Sequence, residues 1–318
     1  MTWLAWRQFR LQMLPVYAAI AVLAAVFAAV GPELVGSTDF LLYQASLVMM
    51  YLLPAAIGLF WGAPLIAREV EAGTLHLVWD QSVTRQRWLA VKLLLAGPAA
   101  MLAAGLLSLT ISWWAAPVDT AADADPDGGM LTRLSPVVFA TRGIVPVGHA
   151  AFAFALGVVA GILLRRTVAA MAVTLAVLTA VLLAVPLAVR PHLLPPTAET
   201  VTISTSTINQ IRANDAGELE RITVRAPRGA WVLDNETLDR AGAVTGVLPP
   251  AIRDCLPSTD HHALVTCVAR LSELGHHQRI VYQPANRFWP LQSMETALYF
   301  ILAGLLTWFA FRRLRHLP

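Results

Sequence analysis

The chain has 318 residues, of which 57% are hydrophobic and 14% charged, with a mean hydropathy of +0.61. Soluble domains carry about 25% charged residues, so this composition excludes an ordinary soluble protein and points to a membrane one. The formal net charge of +3 says little by itself; no nucleic-acid partner is expected, and the basic residues sit at the ends of apolar runs.

The first twelve residues, MTWLAWRQFRLQ, set Trp3, Leu4 and Trp6 against Arg7 and Arg10, which predicts an amphipathic helix in the membrane interface. The apolar run behind it is too long for a signal-peptide core and lacks a small-x-small cleavage site, so it reads as a retained membrane helix. Six apolar segments follow one another at roughly 13–30, 41–66, 93–116, 144–164, 167–189 and 292–311. Crossing a bilayer takes about 20 helical residues, and five of the six segments reach that or come close. Pro15 is expected to mark the junction of interfacial helix and first span, and Pro54, Pro64 and Pro98 predict kinks in later spans.

Between the second and third segments lies Arg68–Lys92, REVEAGTLHLVWDQSVTRQRWLAVK. A polar stretch of that length has no backbone partners in hydrocarbon and must be a loop in water. Glu69 and Glu71 come early, Gly73-Thr74 breaks the helix, and Leu75, Leu77, Val78 and Trp79 give it an apolar face. That is the pattern of a docking element.

Orientation follows from lysines and arginines in short loops. With the N-terminus inside, the inner ends hold Arg7, Arg10, Arg68, Arg85, Arg87, Lys92, Arg165, Arg166, Arg312, Arg313 and Arg315, against Arg133 and Arg142 in the short outer loops. Both termini are then cytoplasmic, and the hundred or so residues of 190–290 are extracellular; the arginines within them do not oppose this, because long translocated domains escape the charge rule. Val201–Ile208 and Leu219–Val224 alternate like half-exposed strands, Ala263–Leu274 reads as a short helix and Arg279–Tyr282 as a closing strand. The fold class is therefore an all-α polytopic membrane protein with six transmembrane helices, plus a small extracellular α+β domain between helices 5 and 6. Its parts are 1–189 (interfacial helix, spans 1–5 and the loop 68–92), 190–290 (extracellular domain) and 291–318 (span 6 and a cytoplasmic tail).

Cys255 and Cys267, the only cysteines, both fall in the outer domain. A lone pair in an oxidising compartment reads as a disulfide, the alternative being two unrelated buried thiols.

The run Glu69-x-Glu71-x-Gly73-Thr74-Leu75, with Arg85 and Lys92 behind it, resembles the first cytoplasmic loop of type-2 ATP-binding-cassette (ABC) exporter permeases. Two further stretches, Arg142-Gly-Ile-Val-Pro-Val-Gly-His149 leading to Gly157 and Arg165-Arg166, and Tyr282-Gln-Pro-Ala-Asn-Arg-Phe-Trp-Pro290, are similar to an actinobacterial subgroup of such permeases. This chain has Ser82 where the family often has Pro. The resemblance covers the six apolar segments and leaves most of 190–280 aside. It implies that the loop is a coupling helix seated on a separate ATPase subunit. Arg68, Glu69, Glu71, Gly73, Thr74, Leu75 and Arg85 would then be the partner-coupling residues. One of the two acids is expected to meet the partner while the other orients the loop through Arg68, Arg85 or Arg87.

The chain has no Walker A sequence, since Lys92 follows Val91 rather than glycine, so ATP and Mg are expected on the partner and no cofactor on this chain. Its spans carry almost no ionisable residues beyond His149 and Glu295, which speaks against an ion-coupled pump. His261-His262 and His276-His277 flank the expected helix; they read as exposed loop histidines, with convergence on a metal as the alternative. Trp113-Trp114, Trp289 and Trp308 sit at segment ends, as an aromatic belt does. The resemblance implies a plasma-membrane permease subunit that is expected to export an apolar or amphipathic substrate, not to be itself an enzyme, and to pair with a second copy and with ATPase subunits. The alternatives are a sensor or regulatory protein using the same machinery, and a membrane-anchored protein working through its outer domain.

Overall fold

The computed structural model describes residues 2–30, 37–73, 84–124, 131–204, 206–213, 219–245 and 273–315. Two compact units divide them: Met1–Val118 with Pro136–Leu193 and Trp289–Pro318, and Asp119–Ser135 with Leu194–Phe288.

The first unit is helical. Its elements are α1 (Thr2–Val30), α2 (Ser37–Ala56), a π-turn (Ile57–Gly62), α3 (Pro64–Glu71), α4 (Arg85–Ala124, whose last turn belongs to the second unit), α5 (Pro136–Phe139), α6 (Val145–Leu164), α7 (Thr167–Ala184), a second π-turn (Val185–Val189), α8 (Arg190–Leu193) and α9 (Phe288–Arg315). Among the described residues, five continuous helical stretches are long and apolar enough to cross a membrane: Phe40–Glu71, Arg85–Ala124, Val145–Leu164, Thr167–Leu193 and Ala285–Arg315. The expected first span, 13–30, falls on α1. Its apolar part, Leu14–Ala29, is shorter than the other five, and α1 runs unbroken from Thr2 through Pro15, so no junction separates an interfacial helix from it. A proline costs a helix one hydrogen bond and does not by itself end it in a bundle. In the second span Pro54 precedes the first π-turn and Pro64 opens α3.

Apolar helices gain little by burial against one another in lipid, so close backbone approach has to hold them. Here α6 is the central helix, buried along nearly its whole length. Gly58 and Gly62 of the first π-turn both meet Gly157 of α6, and Gly161, four residues further along α6, meets Ala63 and Ala67. A Cβ on Gly157 would stand 2.4 Å from the Gly58 carbonyl oxygen, and one on Gly161 2.7 Å from that of Ala63. Around this seam Trp61, Trp88, Leu89, Phe154, Ile162 and Leu314 form one core. Trp114, expected in an aromatic belt, is instead fully buried against Phe27, while Trp113, Trp289 and Trp308 stay exposed.

The second unit holds the strands. β1 (Thr197–Thr202), β5 (His277–Gln283) and β4 (Trp231–Leu238) form an antiparallel sheet in the order β1-β5-β4, and β2 (Ile208–Ala213) pairs with β3 (Leu219–Val224). The closing strand and β3 are where the alternation placed them. The expected strand 201–208 is not one strand: Thr207 Oγ1 accepts from the Ser204 amide at 2.8 Å and donates to Thr202 O at 3.0 Å, and the chain turns there. Threonine and serine side chains compete with the ladder in just this way. Buried Gln278 joins hairpin to sheet, donating to Ile222 O and Asn235 Oδ1 and accepting from Thr237 Oγ1. The expected helix at 263–274 lies almost entirely outside the described residues, and Cys255 and Cys267 lie wholly outside them.

Candidate functional site

The loop read as a docking element has described roots on both sides. α3 stops because Gly73 adopts φ +65, the left-handed conformation that ends helices, with its amide on Val70 O at 3.2 Å and the Ala72 amide on Arg68 O at 3.0 Å. Thr74, Leu75 and the rest of 74–83 lie outside the described residues. The chain resumes at Thr84, whose hydroxyl accepts from the Arg87 amide at 3.4 Å as α4 starts at Arg85.

Each acid of the motif is engaged within the chain. Glu69 Oε1 forms an ion pair with Lys92 Nζ of α4; the same ammonium donates to Leu65 O at 3.1 Å and lies 4.4 Å from the Trp88 ring centroid. Glu71 Oε2 accepts from the Thr167 amide at 3.2 Å and its hydroxyl at 2.6 Å. Thr167 is the first residue of α7, and Arg166 before it offers no side-chain cap, so the carboxylate from α3 satisfies the free donors of that helix start. The two-residue link from α6 to α7 is equally tight, with Arg165 in the left-handed region at φ +55. Sequence reasoning named neither Lys92 nor Thr167 as the partners that orient these acids. Arg68 and Arg87 are exposed; with Gln86 turned so that its amide oxygen faces Arg315, that guanidinium donates to it, bringing the end of α9 beside the start of α4.

The opposite ends of the helices hold a second polar cluster. Arg190 and Glu295 form a fully buried two-bond ion pair, Nε to Oε2 at 2.6 Å and Nη2 to Oε1 at 2.9 Å. Arg190 Nη1 also donates to Pro136 O at 3.2 Å, and the guanidinium lies 4.3 Å from the Phe139 ring centroid. Buried His149 meets Tyr299 edge-on at 4.5 Å. Gln292 Oε1 accepts from the amides of Ile144 and Val145 at 2.9 and 3.0 Å while its Nε2 donates to Phe139 O at 3.0 Å. This explains the Arg142–His149 motif. Gly143 sits at φ +64 with a Cβ position 2.8 Å from Gln292 Oε1, and Gly148 is pressed against Thr296 and Tyr299. Glu295 and His149 stood out in the sequence, whereas Arg190 was counted as the first residue of the outer domain.

In the second unit His276 is buried with neither ring nitrogen hydrogen-bonded, and burial holds its pKa below the ordinary histidine value. A hydrogen bond to Glu199 raises the pKa of Tyr282. His261 and His262 lie outside the described residues, and among the described residues no group of three metal-ligating side chains comes together.

The family model described as ABC-2 membrane transporter related matches residues 32–190, half of the chain, including the loop 68–92 and the central helix α6. The chain belongs to that family. No curated protein matches it, and no solved structure does. The ABC-2 membership makes it a membrane protein of the transporter-permease kind, a membrane component that is not itself an ATPase and that normally works with an ATPase subunit.

Proposed function

We propose that this ABC-2 permease is the membrane-spanning half of an ATP-driven exporter, of the actinobacterial subgroup its motifs resemble. It pairs with a second copy of itself and with two ATPase subunits that bind ATP and Mg, and it moves an apolar or amphipathic substrate. The observation that carries this is the way the loop 68–92 is rooted. Glu69 ties α3 to α4 through Lys92, and Glu71 ties α3 to the start of α7. A force applied to the loop by an ATPase therefore reaches three membrane helices rather than one.

On this reading the acids set the loop's stance, and docking falls to exposed Arg68 and Gly73 together with Thr74 and Leu75. Both termini are cytoplasmic and 190–290 is extracellular, carrying a Cys255–Cys267 disulfide. Co-expression with an ABC ATPase subunit from the same genome tests the proposal: the two should co-purify, and substitutions at Arg68 or Leu75 should release the ATPase without reducing membrane insertion.

A further inference from the structure

The buried pair Arg190–Glu295 exists because of an irregularity in the helix before it. The inner face of α7 is marked by Ala170, Thr174, Leu178 and then Val185, the residues of that stretch that are buried. Continued as an α-helix, the face would next use residues 188 and 189, since about 3.6 residues make a turn. The buried residue is Arg190 instead, five beyond Val185, and its amide donates to Val185 O across the π-turn. Leu187 and Ala188 are exposed. One residue is thus looped into the helix, and everything after it is rotated by about 100°. Pro186 accounts for the position, because a ring at that site conflicts with the carbonyl four residues back and cannot donate in a regular turn.

Such a charge pair is not what a membrane bundle needs for stability. Removing two charges from water costs about as much as their attraction returns, and apolar residues of the same size do as well. It does hold things together: Arg190 of α8 grips Glu295 of α9 and the Pro136 carbonyl of α5, on a turn whose register has an obvious alternative.

We propose that the π-turn Val185–Val189 and the Arg190–Glu295 pair are one two-state latch. In the state described here the looped-out residue carries Arg190 inward, and the pair closes α5, α8 and α9 together. In the other state the helix runs regularly, residue 189 takes the inner face, Arg190 turns out to the membrane surface and the three elements part. Resting on the permease reading above, this is where the far end of the path opens.

The latch is testable without ATPase or cargo, so its failure is distinct from failure of the transporter reading. In the full chain with Cys255 and Cys267 replaced by serine, purified in mild detergent, His192→Cys should react readily with a water-soluble maleimide, because residue 192 is exposed in the π-register. In a regular helix residue 192 lies two turns from Val185 on the inner face. Adding Glu295→Leu strands the arginine and drives the register change, so labelling should slow at least tenfold. The Arg190→Leu/Glu295→Leu pair removes the drive along with the charge and should restore the original rate. Where Glu295→Leu does not assemble, Glu295→Gln carries the same test with a smaller slowing. An unchanged rate in an assembled Glu295 variant, or equal slowing in the double variant, overturns the latch.

Discussion

Lys92 is the only lysine in the chain, and its exchange reads out the loop root most directly. Its side chain is 12% exposed and that of Glu69 27%, so the ammonium is the drier partner of the pair. Truncating one member of a desolvated, hydrogen-bonded charge pair costs about 2–5 kcal/mol, much of it from the charge left behind. The two single variants should therefore be unequal. Glu69→Gln strands the better-buried ammonium and should cost about 2 kcal/mol. Lys92→Met keeps the stem against Trp88 and leaves a carboxylate whose side chain is more exposed than that of the lysine, so the smaller cost, about 1 kcal/mol, is expected. Together they should cost about 1 kcal/mol less than their sum, because the second change removes a charge that the first had orphaned. Denaturant titrations of the purified full chain, followed by circular dichroism, give all three values. Strict additivity, or a Lys92→Met loss larger than that of Glu69→Gln, would refute the pair as the fastening of α3 to α4.

The topology predicts that single cysteines at Asp125 and Asp215, in a chain without Cys255 and Cys267, label with an impermeant thiol reagent on whole cells, whereas one at Gln86 labels only after lysis. Labelling of Gln86 on intact cells contradicts it. Non-reducing peptide mapping of protein from its native membrane should recover Cys255 and Cys267 in linked peptides; two free thiols dispose of the disulfide. Gly157→Leu should abolish assembly of the bundle, since even a Cβ there would stand 2.4 Å from a carbonyl oxygen, while Gly304→Leu, with open space around it, should assemble normally as judged by gel filtration.

The helical part of the fold was legible because bilayer thickness imposes a length and a composition on each span, and those survive without any knowledge of packing. What eluded the sequence was register. Nothing in VPLAV announces that a residue is looped out there, so Arg190 read as the edge of a domain rather than as the partner of Glu295. Trp114 failed for a related reason: a tryptophan at the end of an apolar run reads as a belt residue until the facing Phe27 is known. In the second unit β3 and β5 kept the period-two pattern. β1 and β2 were merged because the turn between them is made by side-chain hydrogen bonds of Ser204 and Thr207, and these residues also suit strands. At the candidate site, the acids were recognisable from the motif. Their partners Lys92 and Thr167 lie 23 and 96 residues further along the chain, a separation that only the fold closes.

The central claim, that this permease receives its motion through 68–92, is tested most directly by the ATP turnover of the complex with its ATPase in lipid vesicles. Glu71→Ala frees the start of α7 from α3 while Arg68, Gly73 and Leu75 stay in place. ATPase binding should stay normal, and stimulation of its turnover by transported substrate should be lost. Thr167→Ser, which keeps both donors to the carboxylate, should behave as the wild type. Full substrate stimulation in Glu71→Ala would contradict the account.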